Sequence, residues 1–127
     1  MTIAEWCVLA AVLLYLLTIA PFKVIGHPQF DNQNPRDPRF YQNPLRTRAL
    51  GAHANGIETF PFFAFAVLLA EFRHAPQPTL DMLALLFVAL RLAFVAIYLA
   101  GWGWRRTVVW NLGFLANVAI FLLPLWR

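Results

Sequence analysis

Cysteine, acidic residues and charge in general are scarce in this chain. The single cysteine, Cys7, can close no internal disulfide and has no neighbours at metal-ligand spacing, so neither a disulfide framework nor a metal site is expected. Only 13% of the residues are charged while 61% are hydrophobic, which excludes an ordinary water-soluble domain and places the chain in a membrane. The formal charge of +4 comes largely from arginines near the ends of apolar runs, and no basic and aromatic residues interleave, so no nucleic-acid partner is implied. Internal repeats and low-complexity tracts are absent. The first apolar run also lacks a basic leader, having Glu5 there instead, and no small-residue cleavage site follows it. It is therefore expected to be a retained helix and not a signal peptide.

What is present is four apolar stretches of about twenty residues, the length a helix needs to span a bilayer. They predict an all-α membrane protein, a four-helix bundle forming one domain over residues 1–127, with helices at about 2–25, 45–72, 79–100 and 107–125. The segment GHPQFDNQNPRDPRFYQNP is rich in proline and amides and reads as a long first loop outside the hydrocarbon. Pro61 falls inside the second helix, where it should kink it or loosen the hydrogen bond near Ile57. Lys23, Arg36, Arg39, Arg46, Arg48, Arg105 and Arg106 gather in loops 1 and 3 and their flanks, whereas Arg73 and Arg127 lie on the other side. This asymmetry puts loops 1 and 3 in the cytoplasm and both termini opposite. Trp6, Trp102, Trp104, Trp110 and Trp126 fall near predicted helix ends, as belt residues do.

Polar side chains inside these helices need a reason, because a charge near the bilayer centre costs roughly 2.5 to 3.5 kcal/mol on insertion scales. Arg48, Gly51, Asn55 and Glu58 follow a spacing that aligns them on one face of helix 2. Counting about 1.5 Å per residue, Glu58 and Arg91 of the antiparallel helix 3 reach nearly equal depth, which predicts an ion pair. Such a pair serves equally well to fix helix register or to build a site. Tyr98 and Arg105 continue the helix 3 face from mid-membrane to the surface, and each is also explained as an interfacial anchor or a topology determinant. His53 reads first as a packing or interfacial residue, and Asn111 and Asn117 as interhelical hydrogen-bonding groups.

The helix 2 run with Arg48, Asn55, Glu58 and the following Phe60 and Pro61, the order Arg91, Tyr98, Arg105, and the long first loop resemble the MAPEG family, the membrane-associated proteins in eicosanoid and glutathione metabolism. The resemblance covers nearly the whole chain and is to a bacterial-type member, similar to microsomal glutathione transferases. It implies a homotrimer with glutathione, as substrate, held between neighbouring subunits near the cytoplasmic leaflet. Arg48, Asn55, Glu58, Arg91 and Tyr98 would hold the tripeptide, with His53 in support, and Arg105 would stabilise the thiolate, assisted by Tyr98. A nearby guanidinium lowers a thiol pKa and so supplies the nucleophile. The implied activity is a glutathione-dependent transferase or peroxidase of lipophilic electrophiles that arrive from the lipid.

Three positions depart from the family pattern: Gly51 stands where an Arg is common, Thr59 where a Tyr follows the Glu, and Phe94 where a helix 3 Tyr is frequent. Each lost charge-assisted contact is worth about 1.5 to 3 kcal/mol. These losses support a rival reading, a non-catalytic protein that binds a lipid or presents it to a partner. A small multidrug transporter ranks lower, because its mid-membrane carboxylate in helix 1 is missing and Glu5 lies near the terminus.

Overall fold

The structure, a computed structural model, describes residues 1–26 and 29–126. Four helices follow in order: α1 (Ile3–Ile25), α2 (Pro44–Phe72), α3 (Gln77–Ala100) and α4 (Gly103–Leu122), the last ending in a 3-10 turn at Leu123–Trp126. All four are long and apolar enough to cross a membrane. Leu13, Leu17, Phe65, Leu68, Leu85, Leu92, Leu112 and Leu115 are exposed. So much outward apolar surface belongs against lipid and not water.

Local chemistry sets the ends. Thr2 caps α1 in a reciprocal capping box with Glu5, and Asn43 caps α2 by accepting from the amides of Leu45 and Arg46 at 3.0 and 3.3 Å. Gly101 ends α3 in the left-handed region at φ 76°, where a glycine avoids the Cβ penalty. It lets α4 begin at Gly103, four residues before the sequence-based start. Pro61 does not break α2, which runs continuously through it.

Two layers of packing hold the bundle. In the half near the N-terminus, small residues Ala66, Ala70 and Ala84 let α2 and α3 approach, and the rings of Phe63 and Phe87 stack at 4.1 Å. At the other end, loop 1 is more ordered than its composition suggests. A 3-10 turn at Pro38–Gln42 buries Phe40 and Tyr41 against Ile19 and Ala49. Tyr41 donates to the Pro35 carbonyl at 2.8 Å, and Arg46 lies over the Phe40 ring at 4.3 Å. Asp37 accepts from the Arg39 amide and pairs with its guanidinium at 2.8 Å. Those hydrogen bonds from Arg39 hold the Asp37 carboxyl below its ordinary pKa, and burial holds the Tyr41 phenol above its own.

Candidate functional site

The polar face of α2 is divided among different partners. Arg48, nearest the loop 1 end, donates from Nε to the Leu99 carbonyl at 3.0 Å and packs over Gly101. It thereby satisfies a carbonyl that the end of α3 leaves open. Two turns on, Asn55 Oδ1 accepts from Arg91 Nη1 at 2.8 Å. Arg91 is only 6% exposed and lies over the Phe94 ring at 4.3 Å.

The expected pair between Glu58 and Arg91 is not formed. Among the described residues the one ion pair is Arg39 with Asp37, and Glu58 is exposed. Matching depth along two helices fixes height and not rotation. The guanidinium, held over the Phe94 ring, meets the amide one turn before Glu58 instead. An amide acceptor also requires no second buried charge, whose desolvation rivals what an ion pair returns. Glu58 and Arg91 nonetheless line one cavity.

His53 turns away from this face. Its Nδ1 lies 2.6 Å from the Tyr15 carbonyl of α1, and its ring meets the Tyr15 ring edge-on. These contacts are the ones the packing reading of His53 expects.

Where α3 ends and α4 begins, Tyr98 stands edge-on to Phe94 at 5.6 Å, and the Arg106 guanidinium lies 4.4 Å over the Tyr98 ring. The Tyr98 hydroxyl fills the place that a Cβ on Gly51 would take. The glycine at 51 is thus the complement of this tyrosine, and an arginine there could not coexist with the present Tyr98 rotamer. Between these groups opens a cavity of about 520 Å³, walled by Gly51, Asn55, Glu58, Tyr98, Arg106 and Trp110. It offers one anion, one cation, an amide and a phenol, the complement of a ligand with both charge signs and peptide-like groups.

Arg105 does not line this space. It is exposed and rests between Trp102 and Trp104, at 5.2 and 5.8 Å from their rings. The cavity-facing guanidinium is Arg106, which the sequence reading left among the charges that set topology. A signal was available: Arg106, Trp110, Gly113 and Asn117 follow a 4, 3, 4 spacing, one face of a helix, once α4 is begun at Gly103. Trp110, near the start of α4 as expected, is half-buried and lines the cavity.

A family model described as MAPEG family matches residues 3–126. No curated protein and no solved structure matches the chain.

Proposed function

The chain belongs to the MAPEG family, and on that premise we propose that it is an integral membrane enzyme that binds glutathione and joins its thiolate sulfur to lipophilic electrophiles. The observation that carries this reading is the cavity wall that joins Arg106 and Tyr98 to Asn55 and Glu58. Glutathione carries two carboxylates, an ammonium, two amides and a thiol. Glu58 suits the ammonium, Asn55 an amide, and Arg106 an anionic group, whether carboxylate or thiolate. The thiolate role that the resemblance gives Arg105 passes in this proposal to Arg106, because Arg106 faces the cavity and Arg105 does not.

The reaction needs little from the protein beyond placing charge. The thiol releases its proton, the thiolate's electron pair forms the new carbon–sulfur bond, and the leaving group departs with the pair that bound it. A guanidinium beside the sulfur lowers the thiol pKa and raises the thiolate fraction at neutral pH. The cavity is open on the outer side of the subunit, so we propose a homotrimer in which a neighbouring copy closes it. Loops 1 and 3 are proposed to face the cytoplasm, where the excess of Lys and Arg places them.

Conjugation of a chloronitrobenzene-type electrophile by purified protein, followed against pH, tests this. Arg106→Ala should move the pH profile of kcat/KM to higher pH, and Arg105→Ala should leave it in place. The reverse pattern would return the role to Arg105. Absence of turnover together with absence of glutathione binding would favour the lipid-binding reading, which the capture of Arg48 by the Leu99 carbonyl already supports.

A further inference from the structure

Beside the polar cavity, where α3 turns into α4, lies a second space of about 200 Å³, walled by Arg48, Arg106, Ile97, Tyr98, Trp102 and Gly103. It differs from its neighbour in charge. The polar cavity has Glu58 on its wall, whereas this one is lined by two arginines and no carboxylate. Neither arginine is neutralised elsewhere, since the one ion pair among the described residues joins Arg39 to Asp37. The bond from Arg48 to the Leu99 carbonyl uses Nε, which leaves its terminal nitrogens to serve another acceptor. Arg106 lies 4.4 Å over the Tyr98 ring, a contact that leaves the edge of its guanidinium free to donate. The positive end of α4 begins at Gly103, where a Cβ would meet nothing within 4 Å, so that helix start is open to approach. Two guanidiniums on one small wall repel each other, and an anion between them offsets both.

We propose that this space holds the phosphate of an anionic membrane phospholipid, gripped between Arg48 and Arg106. Depth points to a lipid as the source of the phosphate. The turn at Gly101 lies about twelve residues past the middle of α3, roughly 18 Å along its axis, and half the hydrocarbon thickness is about 15 Å. The two arginines therefore stand at headgroup level. Trp102 and Trp104, both exposed beside the space, are side chains that settle at that level. Deeper along the same two helices, exposed Leu92, Val108 and Leu112 offer apolar surface to acyl chains. A phosphate diester presents two oxygens to the two guanidinium forks. The lipid must also carry net negative charge, because no carboxylate is there to receive the ammonium of a choline headgroup. The site goes beyond the thiol reading and stands apart from it, since Arg48 does not line the polar cavity.

The test is native mass spectrometry of the full-length protein in neutral detergent, without glutathione, after incubation with equal amounts of phosphatidylglycerol and phosphatidylcholine of matched chains. Wild-type protein should retain phosphatidylglycerol about tenfold more strongly than phosphatidylcholine, and millimolar inorganic phosphate should not displace it, because the acyl chains add to its affinity. Arg48→Gln, which keeps a donor for the Leu99 carbonyl, should weaken phosphatidylglycerol retention about tenfold or more, the scale of one charge-assisted contact. Arg39→Gln removes an exposed arginine of loop 1 and should leave retention unchanged. The lipid preference is measured on wild-type protein alone, so it decides the matter even if a variant fails to fold. Equal retention of the two lipids, displacement by millimolar phosphate, or equal retention in folded Arg48→Gln and Arg39→Gln overturns the proposal.

Discussion

The two ends of the bundle use polar side chains in opposite ways. At the end where α1 begins, Thr2 donates to Glu71 at 2.5 Å, Asp81 accepts from the Ala4 amide at 2.9 Å, and Gln77 bridges Glu71 and Asp81 at 3.1 and 2.9 Å. Three helices are tied there by groups that satisfy one another. From the middle of the bundle toward loop 3, Glu58, Tyr98 and Arg106 instead line a shared space, and among the described residues Glu58 has no ion-pair partner. Polar groups that close on each other are explained by the fold itself. Groups that converge on a space with charges still open to it require something to fill it, and that distinction underlies the functional reading.

Removal of the cavity cation should give the largest effect. Arg106→Ala should lower kcat/KM for thiol conjugation on the order of 100-fold, the scale of losing one positioned charge-stabilising donor, with little change in thermal stability. Arg105→Ala, its exposed neighbour, should change the rate no more than a few-fold. Equal losses from the two would erase the asymmetry between facing the cavity and facing outward.

Next in size is the divided pair at mid-membrane. Asn55→Ala should destabilise the protein by about 1.5 to 3 kcal/mol, because it strips the Arg91 guanidinium of its partner. Arg91→Leu should cost less, since an apolar group of similar volume leaves no buried charge behind. Thermal denaturation in detergent ranks the two, and the opposite order would show that Arg91 has another anchor.

In the self-satisfied knot, Asp81→Ala should lower stability by about 1 to 3 kcal/mol by orphaning the Ala4 amide and a Gln77 proton, yet leave the KM for glutathione unchanged. A changed KM would mean the two ends are coupled. At the cavity end, Gly51→Ala should cost about 1 to 3 kcal/mol through overlap with the Tyr98 hydroxyl, and the same substitution should be nearly harmless beside Tyr98→Ala. Additive effects in the double variant would refute that contact.

The smallest expected effect is in loop 1. Because Asp37 has a depressed pKa in the folded loop, its contribution is complete above the unfolded carboxylate value of about 3.9 and is lost as pH falls through the lower folded value. Hydrogen-exchange protection of the Arg39 amide, corrected for intrinsic rate, should therefore hold down to about pH 4 and then decline, and Asp37→Asn should flatten the profile.

Much of this arrangement could be read from the residues because it follows from period and length. Four apolar runs gave four helices within a few residues of their ends, and of the residues aligned by spacing on α2, Gly51, Asn55 and Glu58 wall one cavity while Arg48 turns to the Leu99 carbonyl. The errors came where rotation about a helix axis, and not position along it, decides contact. Glu58 and Arg91 matched in depth but not in direction. Arg105 and Arg106 are adjacent in sequence yet about 100° apart around α4, so a start placed at Thr107 instead of Gly103 hid which of them faces inward. Loop 1 was read as a loop, but its packed 3-10 turn was not foreseen, for a different reason. Its prolines and amides signal the absence of long helices and strands, but the burial of Phe40 and Tyr41 depends on surfaces of α1 and α2 distant in sequence.

Calorimetric titration of the purified protein with glutathione tests the central claim most directly, because it asks whether the groups that converge between mid-bundle and loop 3 receive the ligand whose chemistry they complement. Saturable binding to the wild-type protein is expected, weakened about tenfold or more in Arg106→Ala and unaltered in Arg105→Ala, in line with the loss of one charge-assisted contact. Binding of equal strength in wild type and Arg106→Ala, or no binding in folded wild-type protein, would contradict it.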